Sequence, residues 1–203
     1  MVQQDQDRVL EGTERVEGRT ALRDNVAAAI ALADAVRSTL GPKGLDKLLV
    51  GSDGTALVTN DGVTVLETAK VEHPTAKMLI STSRAQDDEV RDGTTSTVVL
   101  TAELLVNALE LVDRGVHPTV ISSGYRMCEP VSEQALKEIA KPTDQQASLS
   151  SVRSCLAGKG DVGLQSTLAE LAHSAAQETG TGEVDHVRAV SYTHLTLPTN
   201  REV

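Results

Sequence analysis

Residues 92–96 read Asp92-Gly93-Thr94-Thr95-Ser96, and behind them Val98, Val99, Ala102, Leu105, Leu109 and Val112 recur at helical spacing. The periodicity predicts a helix from Thr94 to Asp113, closed by Gly115. The first N–H groups of a helix have no intrahelical partner, and with the positive end of the dipole they favour an anion such as phosphate. Gly93 lets the backbone approach closely, and Thr94, Thr95 and Ser96 add hydroxyl donors. Asp92 reads two ways. As an N-cap it accepts an N–H of that first turn. As a ligand it holds a hard cation that bridges to phosphate oxygens, as one or two carboxylates hold Mg²⁺. No Gly-Lys-Ser/Thr follows the glycine, so this is not a Walker A loop.

Working back from this segment, Leu22, Val26, Ala29, Ile30, Ala33, Val36 and Leu40 form one apolar face, predicting a helix from Thr20 to Leu40. Gly41-Pro42-Lys43-Gly44 stops it. Residues 45–50 and 55–59 are β-like, and Gly51-Ser52-Asp53-Gly54 joins them as a hairpin. Asn60-Asp61-Gly62 is a second turn, before a short helix over 63–68. His73-Pro74 opens a helix from Thr75 to Val90, which Arg91-Asp92-Gly93 interrupts. Working forward, His117-Pro118 opens a helix through Ala140, bent at Pro130. Lys141-Pro142-Thr143-Asp144 is a linker. Val152, Leu156, Leu168 and Leu171 support two further helices around Gly158-Lys159-Gly160, and Gly180-Thr181-Gly182 leads to a strand-like stretch over 183–190.

Composition narrows the function. Of 203 residues, 39% are hydrophobic and 24% charged, so the chain is not a disordered acidic tail. Aromatic residues are 1%, with only Tyr125 and Tyr192, so the core is aliphatic and no stacking platform for single-stranded nucleic acid exists. The formal net charge of −10 argues against electrostatic binding to nucleic acid or an anionic membrane. Continuous apolar runs fall short of the ~20 residues of a membrane span. Residues 1–18 are polar and read as a mobile arm, without the apolar region of a signal peptide. Cys128 and Cys155 are lone thiols that fit a reducing compartment. The five histidines show no metal spacing, and Asp87-Asp88-Glu89 reads as a solvated helix end. Residues 191–203 depart from the rest: Ser191-Tyr192-Thr193-His194-Leu195 onward resembles a translated sequencing adaptor, so a non-native tail is expected there.

Taken together, Thr39-Leu40-Gly41-Pro42-Lys43-Gly44, Asn60-Asp61-Gly62-Val63-Thr64 and Asp92-Gly93-Thr94-Thr95-Ser96 resemble the N-terminal equatorial-domain signature of the group II chaperonins (TCP-1/cpn60), the archaeal members above all. His73-Pro74-Thr75-Ala76-Lys77, Asp87-Asp88-Glu89-Val90 and His117-Pro118-Thr119-Val120-Ile121 follow the same pattern in order, and the likeness runs from Arg8 to Val190. It implies a mainly α fold: a helical equatorial bundle with a small β-hairpin over 19–143, then the start of an α/β intermediate domain over 144–190. Family members are much longer, so this chain is expected to be an N-terminal fragment lacking the substrate-binding domain and the returning half of the equatorial domain. The implied activity is ATP-dependent protein folding in the cytoplasm, with partner subunits in a double ring and unfolded proteins as clients.

Residue by residue, the resemblance implies that Leu40, Gly41 and Pro42 line the adenine–ribose and α-phosphate side. It places Mg²⁺ on Asp92 and the ATP phosphates on Gly93, Thr94, Thr95 and Ser96. Asn60 and Gly62 flank the nucleotide, Asp61 positions the attacking water, and Lys159 senses the γ-phosphate. The family pattern has Gly where Arg91 stands. If that position has φ > 0 or lies against nucleotide, Arg strains the loop or blocks the site; alternatively it supplies a phosphate contact, or the codon was misread. Two other readings stay open: a small phosphotransferase using the 92–96 turn, and a helical interaction module without nucleotide. As an isolated fragment the chain is expected to hydrolyse ATP negligibly.

Overall fold

The computed structural model describes residues 17–51, 54–69, 71–157, 162–179 and 188. The chain divides into two compact units, Met1–Ala140 and Lys141–Val203. The first contains α1 (Gly18–Arg37), β1 (Lys47–Val50), β2 (Ala56–Thr59), α2 (Gly62–Thr68), α3 (Pro74–Val90), α4 (Thr94–Asp113) and α5 (Pro118–Ile139). The second contains α6 (Gln145–Leu156) and α7 (Val162–Thr179). The fold is therefore mainly α with one small hairpin, as the sequence predicts. Of the arm expected over 1–18, residues 1–16 lie outside the described residues, while α1 already begins at Gly18; the Gly158–Asp161 turn, the strand-like stretch over 183–190 (Arg188 apart) and the tail over 191–203 also lie outside them.

The core of the first unit is aliphatic and narrow. Ala29, Leu32, Ala33 and Val36 of α1 meet Val65 and Leu66 of α2, Ala76 and Leu79 of α3, and Val98 and Ala102 of α4. Alanines on the facing sides of α1 and α4 allow the two backbones to approach closely. At the edge of this contact Arg23 pairs with Asp113 at 2.8 Å and Arg37 with Glu103 at 2.7 Å. An early residue of α1 thus meets the end of α4, and the end of α1 meets a residue nearer the start of α4. The helices run antiparallel, so the exit of α1 and the entry of α4 share one end of the pair. Helix α4 is long and apolar enough, by length and composition, to cross a membrane. Here it packs against α1, α2 and α3, and Val98 and Ala102 are buried.

Helix α1 ends three residues before the periodicity suggests. Thr39 turns inward, its N–H and Oγ1 both donating to Val36 O, and Leu40 is left exposed. The turn then closes through Gly44 N to Gly41 O and Leu45 N to Ser38 O, at 2.9 and 2.7 Å. A Cβ on Gly44 would overlap the Thr39 carbonyl, a backbone group that cannot swing aside. Gly44→Ala is therefore expected to cost about 1–3 kcal/mol, the range for overpacking, read as a lowered denaturant midpoint with an unchanged slope.

The hairpin pairs Lys47 with Thr59, Leu48 with Val58, Leu49 with Leu57 and Val50 with Ala56. Helices α3 and α5 begin alike: Pro74 and Pro118 occupy the first turn, where a missing N–H costs nothing. The preceding His73 and His117 each accept an N–H through Nδ1, from Thr75 and Thr119. Among the described residues of α5 only Ile121 is buried, while Val120, Met127, Val131, Leu136 and Ile139 are exposed. A cleft of about 390 Å³ lies between α1, α4 and α5, lined by Leu22, Val26, Leu105, Leu109, Val112 and Ile121 among others. Surfaces this apolar bind hydrophobic dyes. Met127→Gln/Val131→Gln/Leu136→Gln is expected to lower dye fluorescence at unchanged helicity, since glutamine is a good helix former.

In the second unit Asp144 caps α6, its Oδ1 accepting Ala147 N–H at 2.7 Å. Ala169 and His173 of α7 are buried, and Arg153 of α6 reaches Glu170 of α7 at 3.5 Å.

Candidate nucleotide site

Three turns at element ends hold the candidate residues. The turn at 92–93 departs from one of the two expectations for Asp92, that of an N-cap. Gly93, in the left-handed region with φ 79°, is the N-cap of α4. Its carbonyl accepts Thr97 N–H at 2.9 Å and Thr97 Oγ1 at 3.0 Å. Asp92 does not cap the helix: its Oδ1 accepts only the adjacent Gly93 N–H, at 2.7 Å, and the residue is exposed. Among the described residues no side chain caps α4, so the first-turn N–H groups of a twenty-residue helix have no side-chain acceptor. Gln86 braces the turn, Nε2 donating to Asp92 O at 3.0 Å. Ser83, buried on α3, donates to Thr94 O.

The 60–62 turn packs directly on this one. A Cβ on Gly62 would overlap Thr95 Oγ1 and lie 3.2 Å from Thr94 Oγ1, so only glycine fits where α2 starts beside α4. Thr94 and Thr95 are correspondingly buried, while Ser96 is exposed. Asp61 is exposed and caps α2, one carboxylate oxygen accepting Thr64 N–H at 2.9 Å and Thr64 Oγ1 at 2.6 Å. Its own N–H donates to Thr59 Oγ1 at 3.1 Å. One oxygen is thereby committed to the cap and the other is not engaged by that pair of bonds. Asn60 is half-buried. Thus Asp61, Gly62, Asp92, Gly93, Thr94, Thr95 and Ser96 belong to two adjoining turns. Leu40, Gly41 and Pro42 are exposed at the end of α1, with the hydrogen bonds of that turn running within 37–45. They share the end of the α1–α4 pair with Gly93, and no described contact joins them to the other two turns. Lys159 lies outside the described residues.

The free N–H groups, the hydroxyls and the two exposed carboxylates of these turns could serve a Mg²⁺-bound polyphosphate. Among the described residues no group of three His, Cys, Asp or Glu side chains could hold a metal ion. A Mg²⁺ ion held by Asp92 would take one hard carboxylate from that residue and would need further oxygen ligands such as phosphate and water. Sequence reasoning missed Thr59, Gln86 and Ser83, which carry no local signal because their partners lie two to eleven residues away in turns. It also missed Thr64, although an aspartate N-cap commonly accepts the N–H three residues on.

Comparison with known proteins adds the decisive observation: residues 32–201 match the TCP-1/cpn60 chaperonin family. The chain belongs to that family. It is 52% identical over 150 residues to thermosome subunit alpha of Thermoplasma acidophilum, covering 73% of this chain and 28% of that one. It is 46% identical over 181 residues to thermosome subunit beta of Archaeoglobus fulgidus, covering 86% and 33%. With the thermosome subunit of Methanopyrus kandleri it shares 44% over 188 residues, covering 88% and 34%. The chain thus spans about a third of the length of these chaperonin relatives. The family match continues to residue 201, through most of the segment expected to be a non-native tail, and so marks no break at Val190.

Where the resemblance implies glycine, Arg91 takes φ 59° and ψ 18°. It is the one non-glycine with positive φ among the described residues, as expected if the position needs a left-handed backbone. A left-handed side-chain-bearing residue costs about 1–2 kcal/mol, and glycine returns about 0.5–1 kcal/mol of that through unfolded-chain entropy. Arg91→Gly is therefore expected to stabilise the chain by about 0.5–1 kcal/mol, measured as a raised denaturant midpoint.

Proposed function

We propose that this chain is part of a group II chaperonin subunit that binds Mg·ATP at the two adjoining turns and, in the assembled protein, couples hydrolysis to the folding of unfolded proteins. The observation that carries this reading is the packing of the Asp61-Gly62 turn on Thr94 and Thr95, which sets one carboxylate beside the uncapped start of α4. The N–H groups of Thr94, Thr95 and Ser96, left without a side-chain cap, receive phosphate oxygens. Gly93, lacking a Cβ, leaves room for that approach. Asp92 supplies the protein ligand to Mg²⁺, which when bound neutralises phosphate charge. The uncommitted oxygen of Asp61 orients the attacking water and accepts its proton. The Leu40-Gly41-Pro42 turn lines the nucleoside side, Asn60 and Gly62 flank the phosphates, and Lys159 contacts the terminal phosphate. The fold around them is the first half of an equatorial domain over 19–143, followed by the start of an intermediate domain. Partner subunits, a double ring and a cytoplasmic setting complete the proposal.

The test is equilibrium binding of Mg·ATP to the 203-residue chain, with amide exchange read in parallel. Saturable binding with slowed exchange at residues 94–97 is the expected result. Binding without protection there would place the nucleotide elsewhere, and no binding at all would overturn the reading.

A further inference from the structure

We propose that Arg91 is a phosphate-contacting residue, one that gives the site appreciable affinity for metal-free polyphosphate; the inference rests on the nucleotide reading above. The candidate site is acidic, with Asp87, Asp88, Glu89 and Asp92 within six positions. Arg91 is the sole basic residue between Arg84 and Arg114. A polyphosphate arriving at the start of α4 therefore meets one cation from this segment. Arg91 stands two Cα steps from Gly93, at about 3.8 Å per step, and a guanidinium on a long flexible stem spans that separation.

Arg91 is also available. Its side chain is 62% exposed, and its acidic neighbour Asp87 lies 3.8 Å away, at the outer limit of an ion pair. An exposed pair of that geometry contributes little, so releasing it opposes phosphate binding only weakly. A guanidinium held by two parallel hydrogen bonds to phosphate oxygens is a much stronger arrangement. The Asp92 carboxylate repels a polyphosphate unless a cation stands between them. Here a covalently attached cation sits next to that carboxylate.

Arg91→Gln and Arg91→Lys share the left-handed strain of the parent residue and differ in charge, so they separate electrostatics from folding. The experiment titrates ATP and tripolyphosphate into the 203-residue chain, once in excess Mg²⁺ and once in EDTA. Arg91→Gln is expected to raise the Kd for metal-free ATP about tenfold, the lower end for a hydrogen bond to a charged group, with a smaller change in Mg²⁺. Arg91→Lys should fall between it and the parent chain, and Asp92→Ala should weaken binding only in Mg²⁺. Equal metal-free affinities for the parent chain and Arg91→Gln, with Mg·ATP binding still dependent on Asp92, would overturn this inference alone. No ATP binding by the parent chain in either buffer would overturn the nucleotide reading and this inference with it.

Discussion

Asp61→Asn is expected to lower steady-state ATP turnover by about 10²–10⁴-fold, the usual cost of losing a positioned proton acceptor, with nucleotide affinity and melting temperature nearly unchanged. The substitution is chosen because Asp61 has two jobs. One oxygen caps α2 by accepting the N–H and hydroxyl of Thr64. Alanine would remove that cap, at about 0.5–2 kcal/mol, and a loss of turnover would then confuse folding with chemistry. Asparagine caps as well as aspartate but carries no charge and cannot accept the proton of an attacking water. The measurement uses a chimera in which this chain replaces the matching segment of the Thermoplasma acidophilum thermosome subunit alpha, to which it is 52% identical. Pre-steady-state binding and steady-state phosphate release are compared in the parent chimera and the variant. Tightly bound nucleotide with turnover lost assigns the chemistry to the carboxylate. Turnover within a factor of three of the parent would show that Asp61 is a helix cap and nothing more.

The sequence revealed most of this architecture because its helices are bounded by residues with few conformational choices. Helix α4 runs from Thr94 to Asp113 as the apolar spacing predicts, since Gly93 before it and Gly115 after it both take positive φ. The hairpin and the helix starts at Pro74 and Pro118 were legible for the same reason. What local pattern could not show was which of two neighbouring residues takes a terminal role. Leu40 continues the apolar stripe of α1, yet Thr39 enters the core, because a threonine hydroxyl bonded to Val36 O ends the helix first. Asp92 has the better N-cap side chain, yet Gly93 takes the cap, because the chain must turn through a left-handed conformation at both 91 and 93. That substitution of roles matters for the site: an aspartate spent on capping would face its own helix, whereas this one is left exposed. The packing of Gly62 on Thr95 was equally invisible, as it joins residues thirty-three positions apart and leaves no periodic trace.

The exposure of that carboxylate leads to the other large effect. Asp92→Ala is expected to weaken Mg·ATP binding by more than about 10–100-fold, the loss that follows from disturbing an outer-shell partner of a metal ligand alone. Its effect on stability should stay within about 0.5 kcal/mol. The two halves of this prediction have separate physical grounds. For stability, Asp92 makes one described side-chain hydrogen bond, to the N–H of its own neighbour Gly93, and no ion pair is described for it. Gly93 supplies the cap with its backbone, and Gln86 holds the turn through the Asp92 carbonyl, a group alanine also has. For binding, no described cluster of carboxylates, histidines or cysteines can replace the lost ligand. Mg²⁺ would then retain only phosphate oxygens and water. The measurement is Mg·ATP affinity over a range of Mg²⁺ concentrations, alongside thermal melting of both proteins. The expected signature is a Kd for the parent chain that falls steeply as Mg²⁺ is added and a variant whose Kd hardly responds. A variant that binds Mg·ATP as tightly as its parent, with the same Mg²⁺ dependence, would move the cation to another ligand and leave Asp92 a solvated loop residue.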